Sequence, residues 1–138
     1  LKKNLSHLNY ATSNQVAITN KSEVINFYIY PKSSGSSQIN NSTSNLKINA
    51  INGASLKKII SSNEIVNIKI DVEGHELIVL EEIINIIDLK KINSIYIEIA
   101  NDKKILNNYI KKLKDFNLIY FNSTKKRSDC LFENKVKL

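Results

Sequence analysis

The residues best suited to do chemistry stand in one short run, KIDVEGHE, from Lys69 to Glu76. It holds Asp71, Glu73 and Glu76, a histidine (His75) and one of the chain's three glycines, Gly74. Carboxylates gathered at one place repel unless a cation, a donor-rich ligand or water offsets them. Such a group can orient a hydroxyl or take its proton. A second interpretation needs no ligand. Asp71 caps a coming helix, Glu73 and Glu76 sit where the helix dipole favours negative charge, and Gly74 relieves a tight turn. Each contributes about 1 kcal/mol or less, so spacing alone leaves the two readings balanced.

Other chemistries find little support. Cys130 lies in a predicted terminal strand, and no G-x-S-x-G turn exists to present a nucleophile. Glycines at 35, 53 and 74 form neither a P-loop nor a dinucleotide fingerprint. His7 is the only other histidine and reads as a surface residue of a helix. With His/Cys ligand spacings missing, no metal site is expected.

The elements that must position KIDVEGHE come from the apolar pattern. Residues 1–8 read as the tail of a helix, residues 14–18 as a short strand, and residues 23–30 as a strand stopped by Pro31. Residues 33–45, SSGSSQINNSTSN, read as a polar loop. Residues 46–51 alternate as a strand does, and residues 53–62 follow as a short helix with Leu56, Ile59 and Ile60 inward. Residues 65–70 form a largely buried strand leading into KIDVEGHE. A helix over 76–87 carries Leu77, Leu80, Ile83, Ile84 and Ile87 on one stripe. Residues 92–100 read as a strand in the middle of a parallel sheet. An amphipathic helix over 103–116 turns Ile105, Leu106, Tyr109, Ile110 and Leu113 inward, and closing strands cover 118–121 and 130–133. This alternation predicts an open α/β sheet, in which ligands bind beyond the carboxyl ends of the strands. Asp71–Glu76 lies at one such end and Glu98–Asp102 at the next, so position favours a site.

Composition sets the limits. A chain of 138 residues suits one domain. No apolar run approaches the roughly 20 residues of a membrane helix, and the N-terminus lacks a signal-peptide layout. One cysteine excludes an internal disulfide and suits a reducing compartment, so a cytoplasmic location is expected. The net charge of +7 raises the question of nucleic acid. The lysines are scattered, however, and the densest cluster, Lys125, Lys126 and Arg127, is not interleaved with aromatics. A solvated basic surface is the preferred explanation, and no nucleic-acid partner is expected. The sequence sets no oligomeric state. It contains no methionine, position 1 included, so the chain is expected to be part of a longer protein.

IKIDVEGHELIVLEE, followed by a strand ending YIEI, resembles the signature of the FkbM family of S-adenosylmethionine-dependent methyltransferases. That family shows a Lys-Ile-Asp-(Val)-Glu-Gly-x-Glu run, a helix, and a strand ending in Glu. LKKNLSHLN resembles the helix after the family's second strand, NQVAITNKSEVINFYIY its third strand and the one that follows, and SSGSS its Ser/Asn-rich loop. The resemblance implies a Rossmann-like class I methyltransferase sheet, mostly parallel, with a C-terminal antiparallel strand pair. It implies a single partial domain over 1–138, because the glycine-rich cofactor strand and the ribose-binding strand should precede Leu1.

The resemblance further implies S-adenosylmethionine as methyl donor and a sugar, glycan or secondary-metabolite hydroxyl as acceptor. Asp71 would face the methyl group, orienting the acceptor or taking its proton, with Glu73 the second catalytic candidate. Gly74 would let the backbone turn beside the ligand, while Val16 and Ala17 would border the adenine or belong to the core. Ser36, in the Ser/Asn-rich loop, Glu98 and His75 would line the acceptor. His75 stands where the family commonly has Ala, so no obligatory role is expected of it. The alternative is a non-catalytic remnant or a basic α/β binding module.

Overall fold

The computed structural model describes residues 11–28, 38–39, 46–60 and 65–136. Among the described residues there are eight strands: β1 (Ala17–Ile18), β2 (Glu23–Tyr28), β3 (Gln38–Ile39), β4 (Leu46–Ile51), β5 (Val66–Ile70), β6 (Ile92–Ala100), β7 (Phe116–Ser123) and β8 (Arg127–Asn134). The α-helices among the described residues are α1 (Gly53–Leu56), α2 (Glu76–Ile84) and α3 (Lys103–Lys112). The expected helix over 1–8 and most of the loop over 33–45, Ser36 included, lie outside the described residues.

The expected single, mostly parallel sheet is corrected to two mixed four-stranded sheets, ordered β1-β4-β2-β3 and β5-β6-β8-β7. Among the described residues only β1/β4 and β5/β6 pair in parallel; the other pairs are antiparallel. The cause is connection length. A parallel neighbour needs a crossover such as α2 supplies between β5 and β6, whereas the tight turn after Ser123 forces β8 back against β7. The expected closing antiparallel pair is thus present, and β8 inserts beside β6. β6 is central but has a parallel neighbour on one side and an antiparallel one on the other.

That mixed setting explains the side-chain pattern of β6. Ile95, Ile97 and Ile99 are buried on one face, while Ser94, Tyr96 and Glu98 stand half-buried on the other. Ile95 pairs with Phe132, Ile97 with Cys130 and Ile99 with Ser128, which carries the core face across the strands. Leu80, Ile83 and Val79 of α2 close over it, joined by Tyr109 and Leu113 from the α3 region. Each fully buried Ile, Leu or Phe contributes about 1.5–3 kcal/mol. Asn134 is buried without penalty because its Nδ2 donates to the carbonyls of Leu89 (2.8 Å) and Ile92 (2.9 Å).

Helix ends differ from expectation for local reasons. α1 stops after four residues, leaving Ile59 46% exposed, as the β-branched and serine-rich IISS disfavours continuation. α2 ends at Ile84 with Asn85 as its C-cap, although Ile87 is still buried. α3 ends at Lys112, so Phe116 opens β7, and Ile105 and Ile110 remain substantially exposed. The strand expected over 14–18 contracts to β1, and a backbone pairing of Gln38–Ile39 with β2 falls inside the expected polar loop.

α2 also packs against α1 and β1, bringing the first sheet to the second. The amide of Gly53 donates to Oε2 of Glu82 at 2.5 Å. A Cβ at residue 53 would lie 2.8 Å from the Glu82 carbonyl oxygen and 3.0 Å from Cγ2 of Ile86. Gly53→Ala is therefore expected to lower the free energy of unfolding by about 1–3 kcal/mol in urea titrations, the usual range for overpacking. An unchanged midpoint would show that α1 docks elsewhere.

Candidate functional site

Asp71 follows directly on β5 and Glu98 stands near the end of β6. Ile70 pairs with Ile97, so register brings Asp71 level with Glu98, which in turn pairs with Asp129 of β8. Three acidic residues therefore run across three adjacent strands on the polar face. Between β5 and α2 the chain turns through Glu73 and Gly74, and Gly74 adopts φ +79°. No atom lies within 4 Å of where its Cβ would be, so the requirement for glycine is conformational.

The cap reading of Asp71 does not hold. The N-cap of α2 is His75, and its side chain makes no capping bond. Instead, Oε1 of the buried Glu76 accepts from the Gly74 amide at 3.0 Å. Aspartate capping does occur at the next helix, where Asp102 Oδ1 accepts from the amides of Lys104 (2.6 Å) and Ile105 (3.2 Å). Asp71 is exposed, and its partner is Lys69 on its own strand, Nζ to Oδ2 3.0 Å. An ion pair so open to water contributes about 0–1 kcal/mol.

The cation that makes the acidic turn tenable is Arg127, at the start of β8. It was expected to belong to the solvated basic surface, and it does not. Its Nη2 pairs with Glu73, its Nη1 donates to Glu76 Oε1 at 3.2 Å, and its Nε lies 3.5 Å from Glu98 Oε1. Lys125 and Lys126 beside it are exposed, as expected. No local signal separates Arg127 from these lysines. Only the alternation of β8 could have hinted at its place, since it sets Arg127 on the half-buried face with Asp129, opposite Ser128, Cys130 and Phe132.

Glu98 is held above the usual carboxylate range, first by burial and then by the charges of Asp71, Asp129 and Glu76, against a smaller opposing pull from Lys69. Arg127 does not reverse this, because its Nε is at the long end of ion-pair range and its other nitrogens are engaged by Glu73 and Glu76. Tyr96 donates its hydroxyl to Asp129 Oδ1 at 2.7 Å, and that bond, with burial, pushes its phenol up to about 12. Lys69 Nζ also lies 5.7 Å from the centroid of the Tyr96 ring.

Glu73, Glu76 and Glu98 are thus brought together, with Asp71 beside Glu98. His75 is half-buried at the N-cap. Val16 and Ala17 are half-buried in the first sheet, where Ala17 pairs with Ala50; no hydrogen bond or ion pair among the described residues joins them to the acidic turn. Cys130 is wholly buried, and its thiol is raised to about 11 chiefly by burial, which disfavours a nucleophilic role.

The Glu98 shift has a sign that can be tested. A carboxyl raised in the folded state binds its proton more tightly there, so stability falls as pH rises from about 4.5 through the folded value. Glu98→Gln removes that loss. The thermal midpoint of the variant should match wild type near pH 4 and exceed it at pH 8; a lower midpoint at pH 8 would mean that the Arg127 contact dominates.

Among the described residues, no helix is long and apolar enough to cross a membrane. Neither a curated protein nor a solved structure matches the chain. A family model described as "Methyltransferase FkbM domain" matches residues 2–120, which include β5, the acidic turn, α2 and β6 but stop before Arg127. With an α/β fold of two mixed sheets and the KIDVEGHE turn at a strand end, the chain belongs to the FkbM methyltransferase-domain family.

Proposed function

We propose that the protein transfers a methyl group from S-adenosylmethionine to a hydroxyl of a sugar, glycan or secondary-metabolite acceptor. The observation that carries the reading is the division of labour at the strand ends: Arg127 engages Glu73, Glu76 and Glu98, while Asp71 pairs with an exposed lysine alone. Asp71 therefore remains an accessible carboxylate, able to orient an acceptor hydroxyl and take its proton.

The chemistry of the turn fits a sulfonium donor. Asp71, Glu73, Glu76, Glu98 and Asp129 outnumber Lys69 and Arg127, so the turn is net negative within a chain of net charge +7. The open space beside Gly74 leaves its backbone approachable. S-adenosylmethionine, when bound, supplies an electrophilic methyl group. Gly74, with Val16 and Ala17, forms the donor side of this reading, and Ser36, His75 and Glu98 the acceptor side. Aligning the acceptor oxygen accounts for much of the rate in such a transfer, and Asp71 adds general-base assistance.

In the full-length protein, calorimetric titration with S-adenosylmethionine should give saturable binding; its absence would remove the proposal. Asp71→Asn should lower methyl transfer to a sugar acceptor by about 10²–10⁴-fold. Its unfolding free energy should change by no more than about 0.5 kcal/mol, since the residue is exposed. Parallel loss of both would make Asp71 a structural residue.

A further inference from the structure

Arg127 is aimed by a turn that is tied down twice. Within the turn, the Thr124 amide donates to the Arg127 carbonyl at 2.7 Å and the Thr124 hydroxyl to the same oxygen at 3.0 Å. The Arg127 amide donates back to Thr124 Oγ1 at 3.1 Å. From outside, Asn101, just past the end of β6, grips the turn through Nδ2 to the Thr124 carbonyl (2.6 Å) and through its amide to the Lys126 carbonyl (3.0 Å). Ser128 Oγ donates to Asn101 Oδ1 at 3.3 Å. Lys125 and Lys126 are left in solvent, and the guanidinium is carried back over the site with a side-chain exposure of 27%.

One planar guanidinium thus reaches three different elements: the loop after β5 through Glu73, the first turn of α2 through Glu76, and the end of β6 through Glu98. Its fixed fork suits this; a lysine ammonium, a point charge on a flexible stem, does not. We propose that Arg127 is a positioning residue of the site, fixing the Glu73 carboxylate and balancing Glu76 and Glu98 so that Asp71, outside the clamp and paired with the exposed Lys69, stays accessible to the acceptor. That last role rests on the methyltransferase reading; the clamp itself does not. Arg127 lies beyond the family match, so nothing in the family description assigns it.

The charged and titratable groups facing these carboxylates are Lys69 and Asp71 from the β5 end, Glu76 from α2, Tyr96 from β6, and Asp129 and Arg127 from β8. Carbon-13 carboxyl NMR titration of the full chain reads each acid separately. Arg127→Gln is expected to raise the midpoints of Glu73 and Glu98 and to move Asp71 least. Arg127→Lys should restore at most one of the two. Coincident Glu73 and Glu98 titrations in wild type and Arg127→Gln, or an Asp71 shift as large as theirs, would overturn the proposal.

If Arg127→Gln does not fold, Glu98→Gln serves in its place. With one fewer competitor for the guanidinium, the Glu73 midpoint should fall, and an unmoved Glu73 would overturn the clamp. In turnover, Arg127→Gln should lower kcat by on the order of 10²-fold with little change in the KM for S-adenosylmethionine, whereas a raised KM at unchanged kcat would contradict a positioning role. Failure of wild type to bind S-adenosylmethionine would instead remove the methyltransferase reading, while the titrations would still decide the clamp.

Discussion

The site depends on one guanidinium standing among three carboxylates. Two like charges 4 Å apart at an effective dielectric near 20 repel by roughly 4 kcal/mol. A domain of this size is stable by only about 5–15 kcal/mol in total. A cation between Glu73, Glu76 and Glu98 offsets the cost of bringing them together on such a margin. Arg127 supplies it, and the site's geometry follows from how that residue is delivered.

Delivery is a consequence of sheet order. Because β7 turns tightly into β8, β8 inserts beside β6 and its first residue arrives at the end where β5 and β6 finish. Asn101 then locks the turn to the β6 end. The helices hold the other half in place. α2, whose first residue is Glu76, is braced against α1 through Gly53 and Glu82 and against α3 by the Glu81–Lys112 pair at 2.6 Å. A displacement of either sheet would therefore be felt at the carboxylates.

Much of this was legible in the sequence, and the limits have physical causes. The apolar run of β5 and the stripe of α2 announced themselves, because burial on one face imposes a period on neighbouring residues. Strand direction did not, since β6 looks the same whether its neighbour is parallel or antiparallel; that choice was made by the β7–β8 turn. Asp71 and Glu73 were singled out by their place at a strand end and by the resemblance of KIDVEGHE to a family signature, since spacing alone left a helix cap equally open. Arg127 was not, because it bonds Glu76 from 51 residues away and its immediate neighbours are ordinary surface lysines. The ends of α1 and α3 were overextended because apolar residues continue past the last helical one, Ile59 and Ile60 after α1 and Leu113 and Phe116 after α3.

The FkbM methyltransferase-domain match, residues 2–120, covers the acidic strand-end turn. The central claim is that methyl transfer takes place there, against Asp71 and the clamped carboxylates. Amide chemical-shift mapping of the full-length protein during titration with S-adenosylmethionine tests it most directly. The account predicts perturbations concentrated at residues 71–75 and 98–102, saturating with one binding constant. Saturable shifts centred elsewhere, with these two segments unmoved, would contradict it.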